Sequence, residues 1–317
     1  MFDDFIAGIM EDLKNTYIDA VSVVFEFITE LLTYIFDSAI GASDNGVTTD
    51  KSLLGQFLIG HPANFTGSSV EGASTIWSTI EKLCNNAVVP IGGFILVVIL
   101  LNDLFQVIIE GNNFKDFDDS IFIKWIIKAV CGVLLVSNVF YIASGLFAFG
   151  TSACANGMSV LFKEGSTLSS TLTVDTVALR EKGLGELLLI MFMGLIVLLM
   201  VVVMIVAIII VLASRIIEVF MYLSIAPIPM ATMMDNRDWG QVGKGWIKQL
   251  LALSFQGFFI IVALGIFKTL FDNVIIQINN ESNDIVLQMA LLMGYALALV
   301  FTILRSGSIS KSIFGTH

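Results

Sequence analysis

Five runs of apolar residues, near 88–109, 121–148, 187–212, 249–271 and 285–304, dominate the chain. Each is long enough to cross roughly 30 Å of hydrocarbon as a helix. The third is the clearest, because Leu187 to Ala213 contains no charged residue. At about 1.5 Å per residue it is roughly 40 Å long, so it must tilt or project. Arg215 and Glu218 follow, and the helical pattern extends as an amphipathic stretch to Ser224. Residues 2–40 show a different pattern. They lack Pro, their only Gly is Gly8, and Asp12, Asp19, Glu26, Glu30 and Asp37 fall within about 40° of one another at 100° per residue. Phe5, Ile9, Leu13, Val24, Phe27, Ile28, Leu31 and Ile35 cover much of the remaining surface. Residues 41–75, rich in Gly, Ser, Thr and Asn, read as an exposed loop, and Ile76 to Asn86 as a short helix leading into the first span. The pattern predicts an all-α polytopic membrane protein with about five transmembrane helices and an N-terminal acidic amphipathic helix. Residues 1–86 form an extracytoplasmic helix-and-loop region and residues 87–317 the spanning domain.

Composition narrows the class further. Hydrophobic residues make up 56%, charged residues only 14%, and mean hydropathy is +0.91. Soluble domains keep about a quarter of their residues charged, so soluble enzymes and cytosolic DNA-binding domains drop out. The formal charge of −11 is concentrated: residues 1–86 hold twelve acids against three bases, and the rest of the chain is nearly neutral. A pI near 4.5 offers no basic footprint for nucleic acid. With five spans, Lys115, Lys124, Lys128, Arg215, Arg237, Lys244, Lys248, Arg305 and Lys311 share one side, crowded beside span ends. The positive-inside rule then puts the C-terminus in the cytoplasm and the N-terminus outside. The opening residues Met1-Phe2-Asp3-Asp4 lack a basic n-region, so no cleavable signal peptide is expected.

The acid stripe suits a helix lying on the outer leaflet, or copies of it lining a wet vestibule. Asp103 and Lys128 each lie about seven residues inside a span, roughly 10 Å deep, where a charge is costly unless paired or wet. Either Asp103 faces Lys124 or Lys128, or the lysines snorkel to the inner interface. Cys84 and Cys154 stand at similar height outside, which permits a disulfide, and Cys131 reads as a small core residue. No cofactor is expected. His61 and His317 are isolated, the three cysteines have no CxxC spacing, and no nucleophile–base constellation occurs. No catalytic or metal role follows. Gly257, Gly265 and Ala252 permit close helix approach, and Ala290, Gly294 and Ala298 make a small-residue face at spacing four.

After Ser224 comes Ile225-Ala226-Pro227-Ile228-Pro229-Met230-Ala231. Pro227 and Pro229 must break the helix. A short polar stretch carries Trp239, and Trp246-Ile247-Lys248-Gln249-Leu250 enters the fourth span, which contains Gln256. Trp239 and Trp246 suit interfacial anchoring. Gly243-Lys244 lacks the spacing of a phosphate loop. The long apolar helix, the Ala-Pro break, the short charged loop, this entry and the glutamine resemble the TrbL-type polytopic subunit of conjugative type IV secretion systems. The resemblance covers roughly Leu187–Leu304. It implies a cytoplasmic-membrane platform or channel subunit, assembled as a homo-oligomeric ring, that contacts other secretion subunits and the transferring DNA–protein substrate while separate ATPases drive the process. The short central loop, 149–186, departs from that family. Two other readings stand beside it: a transporter or small-solute channel subunit, and a phage or toxin-type pore.

Overall fold

The computed structural model describes residues 2–40, 55, 57–58, 60–62, 75–110, 119–162, 179–235, 239–280 and 285–316. Its elements are α1 (Phe2–Ile40), α2 (Ile76–Leu83), a π-helical turn (Cys84–Val88), α3 (Val89–Glu110), α4 (Asp119–Ser137), α5 (Val139–Leu161), α6 (Leu184–Ser224), α7 (Pro227–Thr232), α8 (Gly240–Asn280) and α9 (Ile285–Ile313). Among the described residues no strand occurs. Among the described residues five helices are long and apolar enough to cross a membrane: Ile76–Gln106, Val139–Leu161, Leu184–Ser224, Gly240–Ile276 and Ile285–Ile313.

The count agrees with the hydrophobic pattern, but the second span does not. The run at 121–148 straddles Asn138, which separates α4 from α5. Asp119, Lys124 and Lys128 charge the first half, so the stretch apolar enough to span shifts to Val139–Leu161. Most of the described part of the expected central loop is accordingly helical, as α5 runs to Leu161 and α6 starts at Leu184. The first helix also starts earlier. Thr75 caps α2 by accepting from Ser78 N at 3.2 Å, and the π turn joins α2 to α3 in one unbroken helix.

The chain divides into two compact units, and their boundaries do not follow the compositional step at residue 86. That step marks charge; packing groups residues otherwise. The first unit comprises Met1–Leu58, Asn156–Leu212 and Phe259–Ser306. Within it α1 buries Ile18, Val21, Phe25, Ile28, Leu32 and Ile35, a seam at alternating spacings of three and four. Gly194 of α6 admits α1 closely, since a Cβ there would meet Val24 at 3.3 Å and Phe25 at 3.7 Å. Asp12, Asp19, Glu26 and Glu30 are exposed, and the side chain of Asp37 lies outside the described residues. Ala290, Gly294 and Ala298 are exposed on α9, and among the described residues nothing lies within 4 Å of where a Cβ at Gly294 would stand.

The second unit comprises Ile59–Ala155, Ala213–Phe258 and Gly307–His317. Its core joins Leu96 and Leu100 of α3, Phe140 and Phe147 of α5, Leu223 of α6, Met230 and Ala231 of α7, and Trp246 and Leu250 of α8. Lipid tails are as apolar as leucine, so helices in a membrane associate through close fit and interhelical hydrogen bonds rather than through expulsion of water. This unit is rich in both.

Candidate functional site

Two arrangements in the second unit draw together the polar and proline-bearing residues of the chain. The first is the turn between α6 and α8. Pro227 has no N–H to continue α6, and the chain re-enters a helix for only six residues. Pro227, Pro229, Met230, Ala231 and Thr232 are all buried. The fit depends on missing side chains in the neighbours. A Cβ at Gly92 of α3 would lie 2.8 Å from the Pro227 carbonyl oxygen, and one at Gly243 of α8 would lie 2.5 Å from that of Pro229. A Cβ at Gly132 of α4 would lie 3.0 Å from Met234 Cγ. The proline break is thus a wedge held by three helices. Trp239, at 58% exposure, stands outside it, and its backbone N–H donates to Asp235 Oδ2 at 3.2 Å. Trp246 departs from the interfacial role expected of it. It is only 6% exposed, packs into the core, and its indole N–H has no acceptor among the described residues.

The second arrangement is a polar seam along α8 between Leu250 and Gly257. Arg215 of α6 is 7% exposed. Its Nε donates to the Leu253 carbonyl at 3.1 Å and its Nη2 to the Ser254 carbonyl at 3.2 Å. Helix carbonyls already accept one bond from the next turn, but each has a second lone pair. A side chain at residue 257 would close off that approach, because a Cβ there would lie 2.7 Å from Arg215 Nη1. Gly257 therefore opens the backbone to the guanidinium. Ser254 Oγ donates to the Leu146 carbonyl of α5 at 3.0 Å, over Gly150, where a Cβ would collide with that hydroxyl at 1.7 Å. Ser310 Oγ of α9 donates to the Ala252 carbonyl at 2.5 Å. Gln256 is buried, and its Nε2 would lie 3.3 Å from a Cβ at Gly307. One helix segment thus fastens α5, α6 and α9 through polar bonds and small residues.

A further polar tie lies apart from the seam. Lys128 Nζ of α4 donates to Asp103 Oδ2 of α3, while Lys124 is exposed. The cysteines form no bridge. Cys84, Cys131 and Cys154 are free, and Cys131 is exposed rather than in the core, since its neighbour Gly132 takes the inward position. Trp77 and Glu81 stand opposite Phe140 and Tyr141. That places Cys84 beside the start of α5, more than a dozen residues or roughly 20 Å from Cys154, far beyond disulfide reach. Among the described residues no group of three His, Cys, Asp or Glu could hold a metal ion.

Residues 62–227 match the family described as TrbL/VirB6 plasmid conjugal transfer like protein, over just more than half of the chain. The chain belongs to the TrbL/VirB6 conjugal transfer family. No curated protein and no solved structure matches it. The TrbL/VirB6 match takes in α2 through α6 and stops at Pro227. It therefore overlaps the segment that carried the sequence resemblance only from Leu187 to Pro227, and Trp246, Lys248 and Gln256 lie beyond it. This TrbL/VirB6 protein is a multi-pass membrane component of a conjugal transfer system. Sequence reasoning marked Gly257 only as a point of close helix approach and missed Arg215 as what approaches it, treating the arginine as the mark of a span's end. The signal was present in the single cation that follows a charge-free run and stays in register with an amphipathic continuation of the same helix.

Proposed function

We propose that the chain is an integral platform and channel subunit of a conjugative type IV secretion system in the bacterial cytoplasmic membrane. It supports passage of a DNA–protein substrate and performs no chemistry of its own; separate ATPases drive the process. The observation that carries this reading is how the buried Arg215 and the half-buried Asp103 are used. Arg215 is spent on α8 carbonyls, and Asp103 on Lys128. A transporter keeps intramembrane charges for its substrate or coupling ion, near midplane between repeats. Charges that stitch helix to helix suit a scaffold. The exposed stripe Ala290, Gly294 and Ala298 supports assembly of several copies, because small residues at spacing four let helices approach. The lysine distribution supports a cytoplasmic C-terminus and an outside N-terminus.

Deletion of the gene from a conjugative element tests this. Donors lose transfer, grow normally and regain transfer when the gene is supplied in trans. Unchanged transfer, together with solute uptake by the purified protein in liposomes, would instead establish the transporter reading.

A further inference from the structure

At the α7–α8 corner of the second unit lies a cavity of about 700 Å³, within the range of small-ligand sites. Its described lining carries Lys244 and Lys248 and no carboxylate. The two lysines are one helical turn apart on α8, are both exposed, and have no ion-pair partner among the described residues. Like charges at that spacing repel. Of the acids elsewhere in this unit, Glu218 stands 4.0 Å from Lys311, and Asp235 accepts the Trp239 N–H. Gln241 and Gln249 add neutral donors and acceptors. Ile225 and Val242, 50% and 58% exposed, form an apolar lip.

We propose that this cavity binds the headgroup of an anionic glycerophospholipid. The phosphodiester sits between Lys244 and Lys248, headgroup hydroxyls meet the two glutamines, and an acyl chain leaves past Ile225 and Val242. The combination of paired cations, neutral amides and an apolar exit fits a molecule that is charged at one end and greasy at the other. A nucleic-acid strand would require a positive groove running over several nucleotides with stacking rings, and this pocket has one pair of cations. Basic pockets among spanning helices are general sites for acidic headgroups.

The test is lipid retention by the full-length protein, measured by native mass spectrometry after reconstitution in nanodiscs of phosphatidylcholine mixed with phosphatidylglycerol. Wild type retains phosphatidylglycerol preferentially. The K244Q/K248Q variant loses roughly 30-fold of that preference, at about 1 kcal/mol per lysine near an anionic headgroup. K244R/K248R keeps the charges and the preference, and K311Q, outside the lining, leaves it unchanged. Equal retention of the two lipids by wild type overturns the proposal, as does loss of the preference in the arginine variant. Displacement of the lipid by soluble glycerol phosphate would identify a free-phosphate site instead. Displacement by a single-stranded oligonucleotide would identify a nucleic-acid site.

Discussion

The guanidinium of Arg215 lies over Gly257, with Nη1 2.7 Å from where that residue's Cβ would stand. A buried cation is thus satisfied by helix backbone rather than by a carboxylate, and one absent methyl group permits it. Changing Gly257 to Ala forces the guanidinium off the Leu253 and Ser254 carbonyls. The expected loss is about 1–3 kcal/mol, the cost of leaving a buried polar group short of its partners. Thermal unfolding in detergent measures it. Combining G257A with R215M removes both the clash and the stranded charge, so the double variant is less destabilised than the sum of the single changes.

Asp103 to Asn leaves Lys128 without its carboxylate in a largely buried place. The expected destabilisation is about 1–3 kcal/mol, below the figure for fully buried pairs because both side chains retain some exposure. The D103N/K128M variant recovers much of it, because breaking a buried pair costs more than replacing it. A double-mutant cycle by thermal unfolding decides the matter; additive effects would disprove the coupling.

Cysteine chemistry distinguishes the three thiols. Cys131 is exposed, whereas Cys84 and Cys154 are buried. N-ethylmaleimide applied to the folded, detergent-solubilised protein modifies Cys131 and spares the other two. After unfolding without reductant, all three react. Failure of Cys84 and Cys154 to react at that stage would reveal a bridge.

Gly294 to Leu leaves the fold of a single copy within about 0.5 kcal/mol of wild type, as expected for a surface change. In the proposed assembly it disrupts a small-residue contact. Light scattering of the purified particle reports a smaller mass, and donors carrying the variant transfer less.

Much of the architecture could be read from hydropathy alone, because five apolar helices announce themselves by length. The failures have physical causes. Asn138 is too small a signal to divide a run whose hydropathy continues on both sides. A similar height for Cys84 and Cys154, which would permit a disulfide, rests on their positions relative to the expected span ends, and α5 runs past that expected boundary to Leu161. Arg215 could not be assigned a partner, since its acceptors are main-chain carbonyls and every residue type has one. Gly92, Gly132 and Gly150 carried no mark either. A glycine matters through what approaches it, and that approach is long-range. By contrast, Pro227 and Pro229 were legible as a break, because proline acts on its own backbone.

The wedge formed by α7 also constrains biogenesis. Its six residues are too few to hold a helix unaided, and Pro227 fits against Gly92, a residue that leaves the ribosome more than a hundred positions earlier. The early hairpin is therefore a mould that must stand before the later corner can set, and synthesis from N- to C-terminus delivers the parts in that order. A circularly permuted gene that translated Ala213 onward first would present the corner with no mould to receive it.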